Sequence, residues 1–294
     1  MTQFGTHPMV PEMISFLVTN SIICLCAVVL VGLRFYSRFS TAAGFGWDDG
    51  FTLASILVGV NLLSVLGLLS TSGIGHPIAE IGDMTHLDNL VEMITAHNLL
   101  FVLGVLTNKL SILCFYIRIY SRNQKLCWAA KGFIVFFLIW GVICATGLYV
   151  LCRPVVTRPG GNTCDRQTVF VHSSALSLFG DVVVLLLPLP VLWNLHMNLR
   201  TKVKLTLLFL IGIIVTAISV VRIVVLIRQD FKNPEFAIFS QEPLSYAVLE
   251  PNLGIICASL PMVQNLWASW RPKLPRSVDS GAGSQSKSSQ VEGD

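Results

Sequence analysis

The stretch SSALSLFGDVVVLLLPLPVLWNL, residues 173–195, carries a single charged side chain, Asp181, in an otherwise apolar run. About 20 apolar residues suffice to cross the roughly 30 Å hydrocarbon core of a bilayer as a helix. A lone carboxylate at that depth costs about 2.5 to 3.5 kcal/mol on insertion scales, so it is expected to face protein groups rather than lipid. The stretch therefore predicts a membrane helix with a polar inner face.

The rest of the chain has the same character. Of its 294 residues, 53% are hydrophobic and only 12% are charged, and the mean hydropathy is +0.71. A water-soluble globular surface needs more charge than this. Transmembrane β-strands would be about ten residues long and would alternate in polarity, which these stretches do not. We therefore predict an all-α membrane protein, a seven-transmembrane helix bundle over residues 14–270, with spans Ile14–Leu33, Phe51–Thr71, Leu90–Ile117, Gly132–Leu151, Gln167–Trp193, Leu205–Ile227 and Leu244–Trp270.

Basic residues in the loops predict the orientation, because Lys and Arg resist translocation. With the N-terminus outside, thirteen of them are cytoplasmic and five are outside. Residues 1–13 are then a short extracellular or lumenal segment without Lys or Arg, and the first helix is expected to be an uncleaved anchor. Residues 271–294, rich in Ser and Gly, are expected to be a disordered cytoplasmic tail. The net charge of +4 fits contact with membrane lipid and gives no indication of nucleic acid.

Two cysteines differ in position from the other six. Cys152 and Cys164 fall in the loop between the fourth and fifth spans, on the predicted oxidising side, so we expect a disulfide between them. The other six are expected to behave as small buried hydrophobic residues. Histidines and carboxylates follow the second span, but their spacing matches no ligand template, so no metal site is expected. No cofactor motif is visible either.

Four spans contain ionisable side chains that need partners. Asp181 and Lys109 lie at comparable depths when measured from the cytoplasmic ends of their helices, and Arg222 and Glu250 lie at comparable depths below the outer surface. We therefore predict two ion pairs, Asp181 with Lys109 and Arg222 with Glu250. Ser177 precedes Asp181 by one helical turn and extends its polar stripe.

The two pairs can be interpreted in two ways. In the first, they neutralise each other and fix the register of the helices. In the second, they line a polar cavity suited to ligand binding or proton transfer. Asp181 and Glu250 are then the candidate catalytic residues. The remaining candidates for the cavity are Glu92, His97, Lys109, Tyr149, His172 and Arg222.

Two further features of the sequence concern light sensing and the start of the second span. The last span contains no lysine for a retinal Schiff base, so light sensing is not expected. Asp48 and Asp49 directly precede the second span, where a carboxylate caps free backbone N–H groups of a helix start.

Four segments together carry a family resemblance. RFYSRFSTAAGFGWDDGFTLAS (34–55), NKLSILCFYIRIY (108–120), CDRQTVFVHSSALSLFGDVVVLLLPLPVLWNLHM (164–197) and LEPNLGIICASLP (249–261) resemble the fungal rhodopsin-domain family of seven-helix integral membrane proteins. The resemblance implies the topology of G-protein-coupled receptors. It also implies one of two settings, a receptor-like sensor or a membrane protein encoded among genes for secondary metabolites, and it transfers no catalytic residue.

Our leading hypothesis is an integral membrane protein with an accessory or catalytic role in a fungal secondary-metabolite pathway of the mycotoxin type. It would bind or act on an apolar small molecule inside the bundle. If it is an enzyme, its chemistry is expected to be cofactor-free and limited to acid–base steps such as cyclisation, isomerisation or acyl shift. Other enzymes of the pathway are possible partners. A G-protein-coupled-receptor-like sensor of an external ligand is the first alternative, and a small-molecule transporter is the second.

Overall fold

The computed structural model describes residues 10–41, 44–76, 84–148, 166–190, 199–229 and 240–270. Within these ranges the chain forms seven long helices and no strand. They are α1 (Pro11–Thr41), α2 (Trp47–Thr71), α3 (Met84–Ile119), α4 (Gln124–Thr146), α5 (Arg166–Leu186), α6 (Leu199–Arg228) and α7 (Gln241–Trp270).

Six of these helices, α1 to α6, are long and apolar enough to cross a membrane. The predicted all-helical membrane bundle is therefore confirmed in its class. The seventh helix, α7, does not reach the same hydropathy within the described residues. Its described side chains include the polar Ser245, Glu250, Asn252 and Ser259, each at most 3% exposed.

Capping side chains and a proline explain where several helices begin and end. α2 begins after Gly46, and the Asp49 carboxylate accepts a hydrogen bond from the Gly46 N–H (3.1 Å), so the predicted capping role is confirmed for Asp49. α4 begins after Asn123, whose side chain accepts from the Leu126 N–H (3.4 Å). The predicted fifth span was too long, because α5 ends at Leu186, just before Pro188. Proline lacks the N–H that a continuing helix requires.

Two helices occupy the centre of the bundle. α3 packs against α2, α4, α5 and α7, and α7 packs against α1, α2, α3 and α6. A large apolar core fills the space between them, and it includes the fully buried Phe101, Leu62 and Phe137. The outer faces of α1, α4 and α6 instead expose aliphatic side chains such as Leu25, Ile143 and Ile227. Exposed aliphatic faces around a buried polar centre are what a lipid-facing bundle requires.

The six cysteines in the described ranges are free thiols. Cys24 is buried, four others are half-buried and Cys26 is exposed, so the expectation of small buried hydrophobic residues is confirmed fully only for Cys24 and is wrong for Cys26. The predicted disulfide between Cys152 and Cys164 lies outside the described residues and stays a prediction, as does the structure of the two terminal segments.

Candidate functional site

Four helices form a closed ring around the candidate site. α3 packs on α5, α5 on α6, α6 on α7, and α7 on α3. Each contributes one charged side chain to the interior, namely Lys109, Asp181, Arg222 and Glu250. We call these four residues the interior charge cluster. With two positive and two negative groups, the cluster carries no net charge.

The first half of the cluster is tightly bonded. Lys109 Nζ lies 2.6 Å from Asp181 Oδ1, which confirms the predicted pair. The second carboxylate oxygen, Oδ2, accepts a hydrogen bond from Ser219 Oγ on α6 (2.8 Å). Lys109 is 3% exposed, so both charges are largely removed from solvent and lipid. Short charge-assisted bonds on both carboxylate oxygens fix Asp181 in one orientation.

Gly180 makes this pairing sterically possible. A Cβ atom at Gly180 would lie 2.6 Å from Lys109 Cε and 2.8 Å from Phe137 Cε1. The lysine stem therefore crosses α5 over the one residue without a side chain, and reaches the carboxylate of the next residue, Asp181.

The second half of the cluster is looser. Arg222 Nη1 lies 3.6 Å from Glu250 Oε2, which confirms the predicted pair at a distance longer than a hydrogen bond. Glu250 Oε1 accepts a short hydrogen bond from Ser177 Oγ (2.6 Å). Arg222 Nη2 donates to Asn98 Oδ1 at 3.5 Å, and the guanidinium carbon lies 3.4 Å from the centre of the Phe101 ring. Ser177 and Asp181 are one turn apart on α5, so the two halves are adjacent.

Several polar atoms near the loose half have no hydrogen-bond partner among the described residues. They are Nε and Nη1 of Arg222 and both ring nitrogens of His97. Arg222 is 1% exposed and His97 is 0% exposed, so surrounding solvent does not satisfy them. An unsatisfied buried polar group costs about 1 to 3 kcal/mol, and more when it is charged. Buried polar groups without a partner are uncommon in proteins, so this half of the cluster is the candidate site.

Two other cavity candidates, Glu92 and His172, do not join this cluster. Glu92 is exposed, two residues from the inward-facing Leu90 and Ile94 and therefore on the opposite side of α3. His172 is also exposed, and one of its ring nitrogens bonds to the Thr168 carbonyl in the same helix (2.7 Å). The prediction that Glu92 and His172 line the interior is wrong for this reason. Tyr149 lies outside the described residues.

Sequence reasoning missed a second buried ionic group. It joins the end of α1, the start of α2 and the end of α3, and we call it the arginine–aspartate cluster. Its members are Arg34, Arg38, Asp48, Asp49 and Arg118. The orientation argument treated these arginines as solvated loop charges, but Arg34 is 0% exposed and Arg38 is 6% exposed. The four-residue spacing of Arg34 and Arg38, which places both on one helix face, was the available signal.

The geometry of this second cluster is dense. Asp48 Oδ2 accepts from Arg34 Nη2 and Arg38 Nη2, each at 2.7 Å, and Asp48 Oδ1 lies 3.2 Å from Arg118 Nη1. Asp49 Oδ1 accepts from Arg34 Nε (3.0 Å). Arg34 Nη1 also donates to the Ala258 carbonyl of α7 (3.0 Å). The cluster thus ties four helices together.

The fold and the interior cluster define the class of protein: an integral, multi-pass helical membrane protein with a polar centre. The chain belongs to the fungal rhodopsin domain family, whose model matches residues 33–269. No solved structure matches it.

Three relatives show the range of contexts in which similar chains occur. The chain is 24% identical to the polyenoic acids biosynthesis gene cluster protein Ba17b of Metarhizium anisopliae, over 90% of this chain and 76% of that protein. It is 26% identical to receptor GIN3 of Arthrobotrys oligospora, over 92% of this chain and 67% of that protein. It is 21% identical to a SAT4 family membrane protein of Emericella nidulans, over 70% of this chain and 54% of that protein.

Proposed function

We propose that this protein is a membrane-embedded component of a secondary-metabolite pathway that binds an apolar small molecule at the interior charge cluster. The observation that carries the proposal is the uneven bonding of that cluster. The Lys109–Asp181 half is saturated with short bonds, whereas Arg222 and His97 retain unused hydrogen-bonding atoms in a buried setting. A purely structural ion pair gains nothing from such unused atoms.

The surroundings of the cluster support an apolar ligand. Phe101, whose ring lies against the Arg222 guanidinium, is 0% exposed and belongs to the large apolar core. Ligand sites typically combine an apolar lining with a few placed polar groups. The relative named for a polyenoic acid gene cluster supports a pathway setting, although that name describes only the relative.

In a catalytic version of this role, Asp181 and Glu250 are the candidate acid–base groups. Each carboxylate has a serine hydroxyl donor within hydrogen-bond distance, Ser219 for Asp181 and Ser177 for Glu250. Each also faces a cation. Such an arrangement can hold and move a proton at a carboxylate oxygen, which is the chemistry needed for cyclisation, isomerisation or acyl shift.

The test is metabolite profiling in the producing organism. We expect deletion of the gene to cause one precursor to accumulate, and we expect Asp181→Asn and Glu250→Gln to reproduce that profile at unchanged protein level. Glu242→Gln is the matched control, because Glu242 lies on the same helix as Glu250 and is exposed. Normal product titre in both site variants would rule out the catalytic version.

A receptor is the second candidate function, and it is favoured by the likeness to receptor GIN3 along 92% of this chain. A buried polar contact also joins α3 to the arginine–aspartate cluster, since Ser111 Oγ, two residues after Lys109 in the sequence, donates to the Asp48 carbonyl (2.9 Å). A receptor role predicts a transcriptional response to an external compound that is lost on deletion, with no accumulated precursor.

A further inference from the structure

We propose that the interior charge cluster selects neutral carbonyl compounds, such as ketones, esters or lactones with an apolar body, over anionic carboxylates. This inference rests on the proposed function and specifies the ligand of the same site. It is carried by the charge balance of the cluster and by the kind of atoms left unpartnered.

The first step concerns charge. Lys109 and Arg222 are balanced by Asp181 and Glu250, so these four side chains have no net charge. Among the other described candidates, Glu92 and His172 are exposed and add no charge to the interior. An anionic ligand would bring one uncompensated negative charge into a buried, low-dielectric site. Charges transferred to such a site carry a large desolvation penalty unless they are paired. A neutral ligand avoids that penalty.

The second step concerns hydrogen bonding. The unpartnered atoms of Arg222, Nε and Nη1, are donors only, because a guanidinium has no acceptor. They call for an acceptor on the ligand. A carbonyl oxygen has two lone pairs and no proton of its own, so it satisfies these donors without requiring a further acceptor. His97, whose ring nitrogens are also unpartnered, can bond to a second oxygen or hydroxyl of the same molecule.

The third step concerns Glu250. Its Oε1 atom is held by Ser177 at 2.6 Å, while its contact with Arg222 is 3.6 Å long. Glu250 therefore balances the charge of the Arg222 guanidinium, but its carboxylate lies beyond hydrogen-bond distance of Nη1. A carboxylate ligand would have to compete with this resident carboxylate for the same cation, whereas a carbonyl group uses donors that Glu250 leaves free.

The experiment compares two fluorescent probes with the same polyene chain, cis-parinaric acid and its methyl ester. The full-length protein is reconstituted in lipid nanodiscs at a pH where the acid is ionised, and binding is followed by energy transfer from protein tryptophans, with empty nanodiscs as the blank. We expect the ester to bind at least tenfold more tightly than the acid. Equal affinity, or tighter binding of the acid, would overturn the proposal.

Two variants locate the binding. Arg222→Lys keeps the positive charge but removes Nε and Nη1, and we expect it to weaken ester binding tenfold or more. His97→Phe keeps an aromatic ring and removes both nitrogens, and we expect a smaller loss. Arg228→Lys, an exposed position on the same helix, is the control and should bind as the native protein does. Unchanged ester affinity in both site variants would also overturn the proposal.

The two proposals fail in different ways. If the acid binds as well as the ester but Asp181→Asn and Glu250→Gln still alter the metabolite profile, the ligand class is wrong and the pathway role stands. If the ester binds selectively but those variants leave metabolism unchanged, the selectivity stands and the pathway role fails. The comparison of ester and acid on native protein decides the ligand class even if a variant does not fold.

Discussion

At the scale of single residues, the packing of the interior depends on glycines as well as on larger side chains. Gly180 is the clearest case, because Lys109 Cε would lie only 2.6 Å from a Cβ at that position. Sequence alone predicted the Lys109–Asp181 pair from depth and charge. It did not indicate that the residue before Asp181 must be glycine, since that requirement depends on the path of a side chain from another helix.

We expect Gly180→Ala to destabilise the protein by about 1 to 3 kcal/mol, the usual cost of overpacking a filled interior. The added methyl group would push the lysine stem away from the carboxylate. Thermal unfolding of purified protein in detergent measures the effect. Gly132→Ala is the matched control, because a Cβ at Gly132 meets nothing within 4 Å. Equal stability of the two variants would show that the lysine path is not confined.

The Lys109–Asp181 pair itself makes a second prediction at this scale. Lys109→Met should destabilise by about 3 to 5 kcal/mol, because it leaves Asp181 as a buried charge without its cation. Combining it with Asp181→Leu should recover most of the loss. Thermal unfolding of the two single variants and the double variant forms the required cycle. Additive losses would contradict a direct pairing.

At the scale of helices, the arginine–aspartate cluster connects the ends of several helices through buried ion pairs. Asp48 accepts from arginines of α1 and contacts Arg118 of α3, and Arg34 reaches the backbone of α7. Gly46 permits this close approach, since a Cβ there would lie 2.7 Å from Arg118 Nη1. The start of α2 is thus held by three other helices as well as by its own cap.

We expect Asp48→Asn to destabilise by about 3 to 5 kcal/mol, because Arg34 and Arg38 would lose a shared buried counter-charge. Thermal unfolding checks the value. Glu12→Gln, which removes an exposed carboxylate from α1, is the control and should change stability by less than about 0.5 kcal/mol. An equally small effect of Asp48→Asn would mean that the cluster is solvated in the membrane.

The positions of the helices could be predicted from the sequence. The buried ion pairs that connect them could be predicted only in part. Apolar stretches of about 20 residues define a span whatever its neighbours are, so all seven helices were found from the sequence. Pairing of Arg222 with Glu250 followed from depth. By contrast, Arg34 and Arg38 follow an apolar span, as orienting charges do, and only their contact with Asp48 and Asp49 distinguishes them from solvated residues. Whether Glu92 and His172 face the interior or the outside depends on the rotation of each helix about its own axis, and their depth in the membrane does not specify that rotation.

At the scale of the whole molecule, the number of crossings determines the arrangement of the two ends. α7 is less apolar than the other six helices, yet it packs against four of them. Seven crossings place the two ends of the chain on opposite faces of the membrane, and six place them on the same face. The charge bias of the loops predicts that the N-terminal end lies outside.

We therefore expect epitope tags at the two ends of this chain to respond oppositely to protease added to intact cells or sealed vesicles. The N-terminal tag should be digested in intact cells, and the C-terminal tag should be digested only after permeabilisation. A tag placed in the α4–α5 loop should behave like the N-terminal one. Two tags on one face would show that α7 does not cross.

The polar character of α7 also has a consequence for biosynthesis. A helix that carries Glu250 and Asn252 enters lipid poorly by itself, so the translocon cannot release it as an independent segment in the way that it can release α1 or α2. α7 follows the other six described helices in chain order, and the partners of its Glu250, namely Ser177 and Arg222, lie on helices made earlier. Those earlier helices must therefore remain gathered beside the insertion machinery until synthesis of α7 is finished. Assembly of the interior is in this sense a post-insertion event, completed when α7 joins the earlier helices.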